Sequence, residues 1–297
     1  MENGESLTTT RENRWIYCLP ALLILVLVIF YPLFQTFYLS FTDARLTTLD
    51  HPKWLGFENY QYLFQSPDWW VAVWNTLLFT FVSLLFETGF GLIIAKMIST
   101  RLKGIALLRT AVLIPWTIPA VVAARIWAWM FNDLFGIINE ILMRFHLIDE
   151  RIAWLADSRL TLLTLVIVDV WKTTPFMCLL ILAALQSIPK VIYEAAELDG
   201  ASEFRVFFSI TLPMIRPALL VAIMFRTLDA LRVFDLPYIL TSSSKSTAVL
   251  STYVRQQLVD FQEVGFGSAA SIVVFTLIAT LAFIYLILNK KNLGIET

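Results

Sequence analysis

The sequence predicts an all-α protein that crosses a membrane with six helices. Three observations carry that expectation. Apolar residues make up 58% of the 297-residue chain, whereas soluble domains lie near about 45–50%. Apolar stretches long enough for the ~20 residues that cross a hydrocarbon core recur six times. Charged residues amount to only 15% and gather in the segments between those stretches.

Residues 1–14 read as a polar tail ending in Arg11 and Arg14. Residues 15–42 carry no charge and read as the first transmembrane helix. A cleaved signal would have an apolar core of only ~7–15 residues and a small-residue cleavage site. This run is longer and passes through Phe30, Tyr31 and Pro32, so a retained helix is expected. Residues 43–70 form an acidic extracytoplasmic loop that closes on Trp69 and Trp70, where an interfacial aromatic belt would sit. Residues 71–289 are expected to hold five further helices, and 290–297 a second tail. Within that core the spans fall at about 71–95, 107–131, 160–185, 214–240 and 266–288. Pro115 and Pro119 break the third span of the chain. The connection 189–217, PKVIYEAAELDGASEFRVFFSITLPMIRP, contains two short helical pieces. The first should stop at Gly200, which suits a left-handed residue just past a helix end, and Ser202 should cap the second.

An even number of spans puts both termini on one side. The segments on that side, 1–14, 96–109, 190–216 and the C-terminus, hold eleven Lys and Arg; the opposite loops hold seven over more residues and most of the acids. The positive-inside rule therefore places both termini and 189–217 in the cytoplasm.

Several chemistries are excluded. The formal charge of −1, with no basic run, gives nucleic acid no footprint. Cys18 and Cys178 both fall inside spans and read as packing residues. His51 and His146 lie far apart in loops, and neither HExxH nor a phosphate-binding GxxxxGK[ST] occurs. No catalytic residue and no metal ligand is assigned. If ATP drives this protein, another chain hydrolyses it.

Charge inside the spans is the remaining signal. Glu87, Arg125, Asp169, Lys172, Arg226, Asp229 and Arg232 sit where a lone charge costs about 2.5–3.5 kcal/mol on insertion scales. They must have partners or face water. Spacing by three suggests an Asp169–Lys172 pair and an Asp229 carboxylate held between Arg226 and Arg232. Glu87 and Arg125 are a further candidate pair. The same residues suit a polar patch along a solute path, with Trp171, Phe176 and Phe225 as aromatic faces and Pro175 freeing backbone groups near Thr173 and Thr174.

Glu194-Ala195-Ala196, three residues, Gly200, nine residues, Ile210, one residue, Leu212-Pro213 resembles the EAA loop of binding-protein-dependent ABC importer permeases, with no departure at a signature position. Gly56-Phe57-Glu58-Asn59-Tyr60, Asn75-Thr76-Leu77-Leu78-Phe79-Thr80, Ile114-Pro115-Trp116 through Phe135-Gly136, and Trp171-Lys172-Thr173-Thr174-Pro175-Phe176 resemble the carbohydrate branch of that family. The tract 225–235 is most similar to the first permease of maltose- and trehalose-type importers.

That resemblance implies a type I ABC importer permease fold in a bacterial or archaeal inner membrane. It implies a second permease subunit that forms the other half of the path, two ATPase subunits that bind ATP and Mg, and an extracytoplasmic substrate-binding protein. No cofactor is expected in this chain. Glu194, Ala195, Ala196, Asp199 and Gly200 would couple to the ATPase. Thr173, Phe176, Asp229 and Arg232 match the family's sugar-contact positions, and the charge argument adds Lys172 and Arg226. The expected cargo is a small sugar or glycoside such as trehalose, maltose or a glucosylglycerol-like osmolyte. A glycerol-phosphate or phosphodiester importer is the alternative, and a proton-coupled secondary transporter the reading from another class.

Overall fold

The computed structural model describes residues 14–99, 104–241 and 244–290. Apart from Arg14 and Lys290, the tails expected at 1–14 and 290–297 lie outside the described residues, as do Arg101 and Lys103 of the basic connection. Among the described residues there is no sheet, only one antiparallel bridge between Thr42 and Trp54. Among the described residues, five helices are long and apolar enough to cross a membrane, and a sixth crossing is made if one bent pair is taken as a broken span. The chain divides into two compact units.

The first unit joins residues 1–65 to 257–273. Helix α1 (Arg14–Leu25) runs through a π turn (Val26–Phe30) into α2 (Tyr31–Leu39). The π turn lies just ahead of Pro32, which has no N–H to donate and whose ring crowds the carbonyl four residues back. Beyond α2, helix α3 (Glu58–Gln65) pins the following loop. The Asn59 amide donates to the carbonyls of Ser40 at 2.9 Å and Thr42 at 2.8 Å. Phe41 stacks on Trp54 with ring centroids 5.3 Å apart.

The second unit joins residues 66–256 to 274–297. Its spine is α4 (Pro67–Ile98), followed by α5 (Ile105–Thr117), α6 (Ala120–Met130), α7 (Ile137–Arg144), α8 (Thr161–Gln186), α9 (Lys190–Leu198), α10 (Glu203–Val206), α11 (Leu212–Ala230), α12 (Asp235–Thr241) and α13 (Leu250–Arg255); the last span, α14 (Val264–Asn289), starts in the first unit and ends in this one. Helix α4 lies close along α8. Gly91 permits the approach, since a Cβ there would stand 2.9 Å from Met177 Cγ and 3.3 Å from the Cys178 nitrogen.

Helices α5 and α6 form the bent pair, meeting at 90°. The break falls at Ile118 and Pro119, both in extended backbone, because a residue that precedes proline is pushed out of the α region. Pro115 stays inside α5. The expected fifth span is displaced. Its helical run is Glu203–Ala230, so Arg232 and Asp235 lie beyond its end. The prolines of that segment do not separate α10 from it. A second π turn (Phe207–Thr211) carries the chain into α11 immediately before Pro213, repeating the arrangement ahead of Pro32.

Two apolar clusters make up the core of this unit. One gathers Phe79, Ala124, Leu165, Val168 and Ala230; the other gathers Ala95, Met177, Ile181, Ile215 and Ala222. Glu87 lies eight residues from both Phe79 and Ala95 on α4, about 12 Å along the helix in each direction at 1.5 Å per residue. Asp169 on α8 and Arg226 on α11 meet it at that level, so the charges sit where the two apolar clusters join.

Candidate functional site

Arg226 is the centre of the buried charges. It is 2% exposed, Glu87 0% and Asp169 3%. The guanidinium meets Glu87 through two bonds, Nε to Oε2 at 2.6 Å and Nη2 to Oε1 at 2.9 Å. Nη2 also donates to Asp169 Oδ2. Nη1 donates to Asp229 Oδ2 at 2.8 Å. Four of the five N–H groups of a guanidinium are thereby used. The paired fork on Glu87 is the geometry that makes Arg–carboxylate contacts strong. Thr173 completes the inner group, with its hydroxyl 2.5 Å from Glu87 Oε1 and 2.6 Å from the Asp169 carbonyl.

Helix geometry explains why these groups converge. Asp169 and Thr173 are four apart on α8 and share its face toward α4. Arg226 and Asp229 are three apart on α11, so one guanidinium reaches across to α4 and α8 while holding a carboxylate on its own helix. Three helices of one chain are tied at one point. The cluster differs from the pairing that spacing suggests. Asp169 pairs with Arg226 rather than Lys172, and Glu87 with Arg226 rather than Arg125, which is exposed. One guanidinium lies among three carboxylates, rather than one carboxylate between two guanidiniums. Arg232 turns its Nε to the Leu228 carbonyl at 3.1 Å.

The path candidates therefore divide by exposure. Arg226 is inside and engaged. Asp229 has a side chain 68% exposed, bonded through one oxygen only, and Arg232 is exposed beside it. Lys172 and Phe176 are half-buried. The Phe176 ring stacks on Trp116 at 5.8 Å, next to the α5–α6 break, and Trp171 meets Trp127 edge-on at 5.4 Å. Sequence reasoning named Glu87 and Asp169 but left them out of the path, because their common partner lies 139 and 57 residues away.

The coupling candidates lie on the hairpin α9–α10. Gly200 has φ +70°. Its N–H donates to the Glu197 carbonyl at 3.0 Å, and the Ala201 N–H to the Ala196 carbonyl at 3.0 Å. This pair of bonds is the Schellman stop, which requires a left-handed residue at that point. The Ser202 hydroxyl accepts the Arg205 N–H at 3.4 Å and caps α10. Glu194, Ala195 and Asp199 are exposed and Ala196 is buried. Ala195, Ala196, Asp199, Arg205 and Ile210 help line a groove of about 470 Å³ between the two pieces. Tyr193 and Thr211 share a hydrogen bond of 3.2 Å that ties α9 to the turn before α11.

Comparison with known proteins identifies the family and the fold. Residues 87–293 match the family model described as binding-protein-dependent transport system inner membrane component. The chain is 40% identical to the trehalose/maltose transport system permease protein of Thermococcus litoralis over 273 residues, 92% of each chain. It is 38% identical to the sulfoquinovosyl glycerol transport system permease protein of Agrobacterium fabrum over 276 residues, covering 92% of this chain and 89% of that one. Among solved structures, a bacterial alginate ABC transporter in complex with an alginate pentasaccharide-bound periplasmic protein contains a chain of the same fold. The TM-score is 0.82 at 24% identity, with 95% of this chain and 96% of that chain covered.

Proposed function

Because the chain belongs to the family of binding-protein-dependent transport system inner membrane components, and is thus a permease subunit of an ABC importer, we propose that its cargo is a small neutral glycoside. Trehalose, maltose and glucosylglycerol-like osmolytes are the leading candidates. The observation that carries this reading is near-full-length similarity to a permease named for trehalose/maltose; the relative named for sulfoquinovosyl glycerol, an anionic glycoside of glycerol, supports the glycoside class alone. The groups on α8 and at the end of α11 support it: an exposed acceptor at Asp229, an exposed donor at Arg232, and a half-buried donor at Lys172, hydroxyl at Thr173 and ring at Phe176 are the mixture that a polyol requires.

In this reading the chain forms half of the translocation path and a second permease subunit the other half. Two ATPase subunits bind ATP and Mg, and an extracytoplasmic protein delivers the cargo. Both termini and the hairpin lie in the cytoplasm. Glu194, Ala195, Ala196, Asp199 and Gly200 present the coupling surface. Closure of the ATPase pair moves α9, and the Tyr193–Thr211 contact passes that motion to α11, the helix that carries Arg226 and Asp229. A cargo drives such a switch only through unequal affinity for its two states, so contacts around Asp229 must differ between them.

The test is uptake of labelled trehalose, maltose, glucosylglycerol, sulfoquinovosyl glycerol and a glycerophosphodiester by cells with and without this chain. Loss of one neutral glycoside is expected on deletion. Loss of the phosphodiester alone, or of none of the five, would overturn the neutral-glycoside reading.

A further inference from the structure

The Arg226 cluster has more acid than base, and its excess points one way. Glu87 and Asp169 are buried, and each spends at least one oxygen on the guanidinium. Between them they occupy Nε and both hydrogens of Nη2. What remains for the exposed side is Nη1, and that nitrogen already holds Asp229 by one oxygen. The cation therefore presents almost nothing of itself outward. It presents a carboxylate in a fixed pose, with the second oxygen free.

Counted by formal charge, Arg226, Lys172 and Arg232 balance Glu87, Asp169 and Asp229. A neutral polyol meets donors and an acceptor with no net field. An anionic cargo approaching Arg232 meets the exposed carboxylate of Asp229, three residues away. Removing either buried carboxylate takes one negative charge from behind Arg226, where little water screens it, and makes the field at Asp229 more positive by that charge.

We propose that Glu87 and Asp169 are specificity-determining positioning residues: by saturating Arg226 from the buried side they orient Asp229 as the cargo's acceptor and keep the patch neutral, so that uncharged glycosides are preferred to sulfonated or phosphorylated ones. The inference rests on the proposed glycoside path. It adds to that path two residues that touch no cargo and act through Arg226 and Asp229.

The experiment uses the full transporter complex in proteoliposomes, with trehalose and sulfoquinovosyl glycerol as the neutral and anionic cargoes. The wild type should favour trehalose. Asp169→Asn and Glu87→Gln should each shift the ratio of the two kcat/KM values toward the sulfonate by about tenfold or more, the factor that ~1.4 kcal/mol produces. Asp229→Asn alters an exposed side chain and should shift the ratio in the same direction. If the buried variants do not assemble, an unchanged ratio in Asp229→Asn still overturns the proposal. Equal losses for both cargoes, with the ratio unchanged in every variant that assembles, would overturn the proposal and leave the glycoside reading intact. A wild type that prefers the sulfonate would overturn the proposal and the neutral-glycoside reading together. A wild-type complex that imports neither cargo would instead sink the reading on which the proposal rests.

Discussion

At Arg226, three carboxylates from three helices meet one guanidinium, and all but Asp229 are closed off from solvent. Replacing a buried ionic group by a well-packed apolar one is often neutral for stability, but removing one partner strands the others and costs about 3–5 kcal/mol. Arg226→Lys tests that distinction while keeping the charge. An ammonium is a point donor without the fork that spans Glu87, and it is more strongly hydrated. The variant should lower the thermal midpoint of the detergent-solubilised complex by several degrees and reduce the amount of chain recovered from membranes. A midpoint equal to wild type would show that the bidentate geometry carries no stability. Thr173 occupies a second such position: its hydroxyl bonds within its own helix and also reaches Glu87, so one side chain joins the α8 backbone to the charge cluster.

Helix α9 is nine residues long, too short to be stable in isolation, so its ends matter. The Schellman bonds stop it at Gly200, and nothing stands within 4 Å of where a Cβ would be. A substitution at this position therefore acts through backbone conformation rather than through a clash. Gly200→Val places a β-branched residue at φ +70°, which costs roughly 1–2 kcal/mol. The expected outcome is ATP hydrolysis that continues without matching uptake, or loss of the ATPase from the purified complex. Normal transport with the ATPase bound would remove the hairpin from its coupling role. The same scale accounts for the shape of three spans. Pro32 and Pro213 each follow a π turn and leave their helix unbroken, whereas Pro119 turns the chain by 90°. The two outcomes differ because a π turn ahead of Pro32 and of Pro213 takes up the crowded carbonyl and the missing N–H within a continuous helix, while Ile118 ahead of Pro119 has already left the helical region.

Across the whole molecule the prediction concerns the energy source. Uptake through the assembled transporter should persist when a protonophore collapses the proton gradient and ATP is held constant. Arrest under those conditions would favour a proton-coupled carrier and would make the buried carboxylates a relay. Much of the architecture is readable from the chain. The apolar runs, the Gly200 stop, the Ser202 cap and the break at Pro119 all follow from local chemistry, in which a residue's neighbours in sequence are its neighbours in space. The six-helix expectation agrees with five spans and one bent pair, and the EAA spacing points to the family that the comparison finds. The pairing of the intramembrane charges is not readable in that way. Spacing by three links Arg226 to Asp229, but it links Asp169 to Lys172 with equal force, and only the first of these pairs forms. Arg226 selects Glu87 and Asp169 because α4, α8 and α11 bring them to one level between two apolar clusters. There an unpaired charge is costly, and for Asp169 the guanidinium on α11 lies within hydrogen-bond reach.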